Sequence, residues 1–175
     1  VERIERGIVG IADDLQDDPL VGAEAIMTTD THPKALSASV GDATITWVAK
    51  GSGMIEPNMA TMLSYIFTDA ALEAATLDRL LRTAVARSFN MLSVDTDTST
   101  SDTCAILANG LAGPVNEAAF LEVLVAGCIR MTEILGRDGE GAEHLLRVRV
   151  RGAKDDGEAR RIAKSVLNSP LVKTM

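Results

Sequence analysis

A chain of 175 residues suits one domain or most of one, and it can bury a core without disulfide or metal staples. Hydrophobic residues at 46% and charged residues at 24% are an ordinary globular balance. Aromatics at 3% argue against a base-stacking nucleic-acid module, and a net charge of -8 argues against a polyanionic partner. No apolar run reaches the roughly 18 residues of a membrane span.

The first predicted element is a helical region over residues 5–27, broken at Pro19, where a second short helix can start. TTDTHPK then reads as an extended or turning segment. ALSASV and ATITWVA flank Gly41-Asp42 and predict a hairpin. The stretch from Lys50 to Thr61 is rich in Gly, Pro and Asn and predicts irregular backbone, followed by a strand over MLSYIF. Leu77, Leu80, Leu81, Ala84, Val85 and Phe89 form a helix stripe, with Thr76 as its N-cap. MLSVD and TCAILANG predict two buried strands around the polar TDTSTSD. Residues 117–135 predict the longest helix, capped by Asn116. LLRVRVRG alternates as a strand with one wet face. Residues 156–168 predict a last helix, opened by the Asp155–Glu158 pair.

Strands and helices mix without a βαβ repeat, a GxGxxG or a P-loop, so the fold class is α+β, or layered αβ. Cys104 and Cys128 both stand in apolar stretches and read as buried free thiols of a reducing compartment.

Three segments carry residues that chemistry can use. The first is KGSGMIEPNMATML, which carries a hydroxyl, Thr61, at a loop-to-strand junction. Its glycines permit close approaches and unusual backbone. By residue pattern alone it is a tight connection whose Thr begins a strand, and Lys50 is a charge at a strand end. The second holds Asp95, Asp97 and Asp102 within eight residues, which suggests a hard-cation site. The spacing is not that of an EF-hand, so a structural hydroxyl-rich loop is the competing reading. The third is RDGEGA, whose Glu140 between glycines is by pattern a solvated turn after a helix. His32 and His144 sit in no triad motif and read as structural or exposed.

These segments, in this order, resemble the ornithine acetyltransferase family, the bifunctional glutamate N-acetyltransferases of arginine biosynthesis. The first is similar to the family's processing motif KGxGMIxPxMATML, the second to its DxDTSTND, the third to its RDGEGA. The terminal EARRIAKSVLNSPLVKT is similar too, so the resemblance runs from about Gly7 to Lys173. It implies a larger fold of N-terminal-nucleophile type, of which this chain would be a central piece. Beginning at Val1 and stopping after PLVKTM, it reads as cut at both ends.

The resemblance also implies that the precursor cleaves itself between Ala60 and Thr61. Residues 1–60 would then close an α chain and residues 61–175 open a β chain, within one continuous domain. Thr61 becomes the nucleophile, and its freed α-amine, with an ordinary pKa of about 7.7–8.0, can serve as its base. An acetyl group would pass from N-acetyl-L-ornithine to L-glutamate through acetyl-Thr61, in ping-pong fashion. Lys50, Thr61 and Glu140 are the matching substrate-binding positions. The resemblance implies no metal and no cofactor, leaving acetyl-CoA open as a co-substrate. It implies two αβ pairs forming a heterotetramer in the cytoplasm, with no nucleic acid and no membrane.

Thr96 and Ser101 depart from the family's commoner Gly and Asn. With Glu56, they look similar to paralogous acetyltransferases of clavulanic acid clusters, which leaves the pathway open. The family's oxyanion-hole segment has no counterpart here, since Thr28-Thr29 stands in the wrong context. The family's C-terminal substrate-binding Asn and Ser or Thr are also absent. The chain alone is therefore expected to be nearly inactive. The rival readings are a related N-terminal-nucleophile aminopeptidase and a non-enzymatic acidic Ca²⁺-binding domain.

Overall fold

The structure, a computed structural model, describes residues 1–56, 62–97, 99 and 101–174. In chain order it has α1 (Glu2–Ile8), a 3-10 turn (Ile11–Asp14), α2 (Pro19–Ala25), β1 (Lys34–Val40), β2 (Ala43–Lys50) and β3 (Leu63–Ala71). There follow α3 (Ala74–Arg87), a second 3-10 turn (Phe89–Met91), β4 (Thr103–Pro114), α4 (Glu117–Arg137), α5 (Asp156–Leu167) and α6 (Pro170–Lys173).

The strands form one mixed sheet in the order β1-β2-β3-β4. β1–β2 and β2–β3 are antiparallel, and β3–β4 is parallel. The expected hairpin forms, with Val40 opposite Ala43 and Gly41 at φ 59°, the half of φ space that a two-residue turn demands. Alternation sends Ile45, Trp47 and Ala49 of β2 and Ser64, Ile66 and Thr68 of β3 to one face, where all are buried. α3 and α4 cover that face with Leu80, Phe120, Leu124, Cys128, Met131 and Leu135. Trp47 lies directly on α4 at Gly127, where a Cβ would come within 2.2 Å of the indole. The expected mixed sheet with packed helices is therefore present.

Asn116 caps α4 by accepting from the Ala119 N–H at 3.0 Å. Asp155 and Glu158 form a reciprocal box at α5, accepting from the N–H groups of Glu158 and Lys154. Four expectations need correction. The helical region over 5–27 has its second helix at Pro19 as expected, but ahead of it α1 ends at Ile8 and only a 3-10 turn follows. Its apolar Ile4, Ile8, Val9, Ile11 and Leu15 stay exposed, because no surface among the described residues receives their stripe. The N-cap of α3 is Glu73 without a side-chain bond, and Thr76 lies inside the first turn.

MLSVD is not a strand. Its backbone is satisfied by other groups: the Val94 N–H bonds the Ile55 carbonyl, and Lys164 and Lys173 donate to the carbonyls of Leu92 and Val94. LLRVRVRG also forms no ladder among the described residues. Alternation makes a segment fit to be a strand, but a strand exists only with a partner edge. Arg147 instead pairs with Glu133 of α4.

Cys128 is buried and Cys104 partly so, and both thiols are free. Burial is the main cause of their raised pKa values, about 12 for Cys104 and about 11 for Cys128. No helix among the described residues is long and apolar enough to cross a membrane.

Candidate active site

Three segments far apart in sequence meet at the end of β2. Lys50, the last residue of the strand, is buried and donates from Nζ to Thr28 Oγ1 at 3.3 Å. The Gly51 N–H donates to Asp30 Oδ1 at 2.6 Å. The Ser52 hydroxyl shares a 2.6 Å hydrogen bond with that of Thr29, and the Ser52 carbonyl accepts from the Glu140 N–H at 2.7 Å. Gly53 faces the Glu140 carboxyl so closely that a Cβ would lie 2.8 Å from its Cδ. The glycine loop and the turn after α4 are thus in direct contact, and they carry Lys50 and Glu140.

An ion cluster under this loop fixes the arrangement. The Lys34 ammonium is fully buried between Asp30 Oδ1 at 2.6 Å and Asp138 Oδ2 at 2.5 Å. Asp138 also accepts from the Thr31 N–H at 3.0 Å and from the Thr31 hydroxyl. Burial pushes both carboxyls up. Hydrogen bonds from Gly51 and Lys34 to Asp30, and from Lys34 and Thr31 to Asp138, outweigh it and hold both below the usual carboxylate range. One lysine therefore ties the segment 28–34 to Gly51 and to the turn before Glu140.

The acidic segment works on the other side of the loop. Asp95 accepts from the N–H groups of Met54 and Ile55, the latter at 3.0 Å. Asp102 Oδ1 accepts from the Met62 N–H at 2.6 Å. These two carboxylates bracket residues 56–61 through the backbone, and they do not converge on a cation. Among the described residues, no group of three or more His, Cys, Asp or Glu is placed to hold a metal. Met54 and Thr96 have φ of 54° and 70°, unusual for non-glycine residues. At Thr96 a glycine would adopt this φ without the steric cost that a β-branched residue meets.

Glu56 is anchored from α5. Asn168 Nδ2 and Lys164 Nζ donate to its Oε1 at 2.9 and 3.3 Å. Burial is the main reason the Lys164 pKa falls to about 8.

The structure places Glu140 against Ser52 and Gly53, the loop directly after Lys50. Ala60 and Thr61 lie outside the described residues. Thr28 joins the site through Lys50, and Asp30, Lys34 and Asp138 position it. Asp138 stands in the RDGEGA motif, but the signal of Thr28, Asp30 and Lys34 is only a polar TTDTHPK, in which nothing marks a lysine for burial. His144 is exposed, and His32 is half-exposed with its Nδ1 3.4 Å from Asp138 Oδ1.

Taken together, these are an α+β sheet protein with a loop ahead of a strand, held at both ends by carboxylates, with buried Lys50 at its start and Glu140 against its glycines. A family model described as the ArgJ family matches residues 1–175. The "Glutamate N-acetyltransferase Oat2" of Streptomyces clavuligerus is 53% identical over 152 residues, covering 87% of this chain and 39% of that protein. The "Arginine biosynthesis bifunctional protein ArgJ" of Rhodococcoides fascians is 48% identical over 175 residues, covering 100% of this chain and 43% of that protein. A crystal structure of the ArgJ protein of Bacillus halodurans superposes with a TM-score of 0.62 at 38% identity, covering 65% of this chain and 56% of that one. The chain belongs to the ArgJ family, and it spans less than half the length of these two curated relatives.

Proposed function

We infer that this chain is the nucleophile-bearing part of an acetyltransferase that moves an acetyl group from N-acetyl-L-ornithine to L-glutamate. The observation that carries this is the contact of Glu140 with Ser52 and Gly53, on the loop that follows Lys50 and leads into Thr61 and β3. An ammonium and a carboxylate at one loop suit the two ends of an amino-acid zwitterion.

Cleavage at Ala60–Thr61 would give an α chain ending with residues 1–60 and a β chain opening with residues 61–175. Thr61 would then attack the acetyl carbonyl, with its own α-amine as base, because neither histidine stands at the loop. The acetyl-threonine is released to glutamate. The assembled enzyme would be a cytoplasmic heterotetramer, with acetyl-CoA as a co-substrate to be tested. Oxyanion donors must come from elsewhere in the full protein. Losing one such donor typically costs about 10²–10³ in rate, so the 175-residue chain alone should be nearly inactive.

Intact mass of the full-length protein tests the class of mechanism. Two chains divided at Ala60–Thr61, and one chain for Thr61→Ala, support it. A single uncut chain with full acetyl transfer sinks it.

A further inference from the structure

A lysine ammonium is a point charge on a flexible four-carbon stem, so a lysine that must meet one end of a substrate needs something to aim it. The β2–β3 ladder fixes the Lys50 backbone on one side, with Lys50 opposite Leu63. Further constraints on Lys50 converge on one carboxylate, that of Asp30.

Asp30 stands four residues ahead of Lys34, which opens β1 and pairs with Ala49 of β2. The segment before β1 therefore lies beside the end of β2. Asp30 Oδ1 accepts from the N–H of Gly51, the residue directly after Lys50, at 2.6 Å. Asp30 Oδ2 accepts from the Thr28 N–H at 3.2 Å. Thr28 in turn takes the Lys50 ammonium on its hydroxyl at 3.3 Å. Asp30 thus holds both the peptide that follows Lys50 and the residue that receives its side chain. An ammonium has three N–H donors, and fixing one on Thr28 leaves the other two in set directions. Burial pushes the Asp30 carboxyl up, but bonds from Gly51, Lys34 and Thr28 outweigh it and hold it below the usual carboxylate range. Asp30 is not required merely as a counter-ion for Lys34, since Asp138 also pairs with that ammonium.

We propose that Asp30 is a positioning residue that aims the Lys50 ammonium, through Thr28 and Gly51, at the carboxylate of the amino-acid substrate. Asp30 is buried, and its two oxygens hold the Gly51 and Thr28 N–H groups and the Lys34 ammonium. It acts on the substrate only through Lys50.

The inference rests on the acetyl-transfer reading, and on Lys50 as a substrate contact within it. The test uses full-length wild type, Lys50→Met, Asp30→Asn and the double variant. KM and kcat for acetyl transfer from N-acetyl-L-ornithine to L-glutamate are measured separately, with Tm as the check on folding. Asp30→Asn leaves Lys34 paired with Asp138, so no buried ammonium is stranded. Asn has one oxygen. If it faces Gly51 and Lys34, its amide nitrogen meets the Thr28 N–H, donor against donor, and Thr28 must shift. KM should rise about 10-fold, with kcat within about twofold of wild type, as for loss of a binding contact. A purely structural role would lower the apparent kcat, because fewer molecules are folded, and leave KM unchanged. Added to Lys50→Met, Asp30→Asn should raise KM no further, because its effect passes through that ammonium.

Wild type without acetyl transfer, or Lys50→Met with the wild-type KM, overturns the parent reading. Lys50→Met raising KM, with Asp30→Asn leaving it within about twofold or adding fully to it in the double variant, overturns this inference alone. If Asp30→Asn does not fold, Asp30→Glu goes through the same cycle. It keeps a charge for Lys34 but displaces both N–H groups, so a wild-type KM there overturns the role.

Discussion

Gly53→Ala tests whether the contact between the glycine loop and Glu140 matters for catalysis. The added Cβ would lie 2.8 Å from Glu140 Cδ and 2.9 and 3.1 Å from its oxygens. Ordinary carbon contacts sit at about 3.5–4.0 Å, so Glu140 must retreat by roughly 0.7–1 Å. The carboxyl is the far end of an exposed, flexible side chain, so it can move without unfolding anything. Stability should change by less than about 1 kcal/mol, as for surface changes that leave the core intact. Catalysis should suffer more, because a misplacement of about 1 Å can cost as much as 10²-fold in rate. A fall of about 10–100-fold in kcat/KM for acetyl transfer by the full protein is expected, carried mostly by KM for the amino-acid substrate. Because the damage passes through one carboxyl, Gly53→Ala added to Glu140→Ala should cost little beyond Glu140→Ala alone. A kcat/KM within twofold of wild type, or fully additive losses in the double variant, would refute the reasoning.

Lys34→Met leaves the carboxylates of Asp30 and Asp138 buried without their cation, and urea unfolding should show a loss of about 3–5 kcal/mol near neutral pH. Both carboxyls have depressed folded-state pKa values, so their contribution is present above the ordinary carboxylate range and fades as pH falls through the folded values. The gap between wild type and Lys34→Met should therefore narrow toward pH 3, measured as unfolding free energy against pH. Gly127→Ala drives a methyl to within 2.2 Å of the Trp47 indole, and a loss of about 1–3 kcal/mol or more should appear as a lower Tm. Thr96→Gly relieves a β-branched residue at φ 70° of a cost of about 1–2 kcal/mol, less the backbone entropy of glycine, so Tm should rise slightly. Between about pH 8 and the ordinary lysine range, the unfolded chain holds a proton on Lys164 that the folded chain has lost, so this group makes stability rise with pH. Lys164→Met should remove that rise, read from unfolding curves at pH 8 and 10.

Much of the site was legible in advance because it lies in short motifs. The turn that carries Glu140 meets the glycine loop at Ser52 and Gly53, although 88 and 87 positions separate them. The acidic segment was legible as a hydroxyl-rich structural loop, but not as two backbone acceptors on either side of residues 56–61. Asp30 and Lys34 were not legible at all, and Asp138 was legible only as part of RDGEGA, not as a partner of a buried lysine. A buried ion cluster leaves no periodicity and no spacing rule, because its members come from a turn, a strand and a helix end.

The sequence by itself determined what depends on neighbours within a few residues. That includes the hairpin across Gly41-Asp42, the α4 cap at Asn116, the capping box at Asp155 and Glu158, and the glycine loop ahead of Thr61. Only the tertiary structure decided which alternating segments became strands. MLSVD and LLRVRVRG have the pattern, but among the described residues they have no partner edge, while TCAILANG found β3. Local hydrogen bonds and propensities act within a turn or two of chain, whereas strand pairing and ion burial need a surface supplied from far away. The same division applies to Asp102. Its place in a hydroxyl-rich loop was readable, but its grip on the Met62 N–H came from folding across 40 residues.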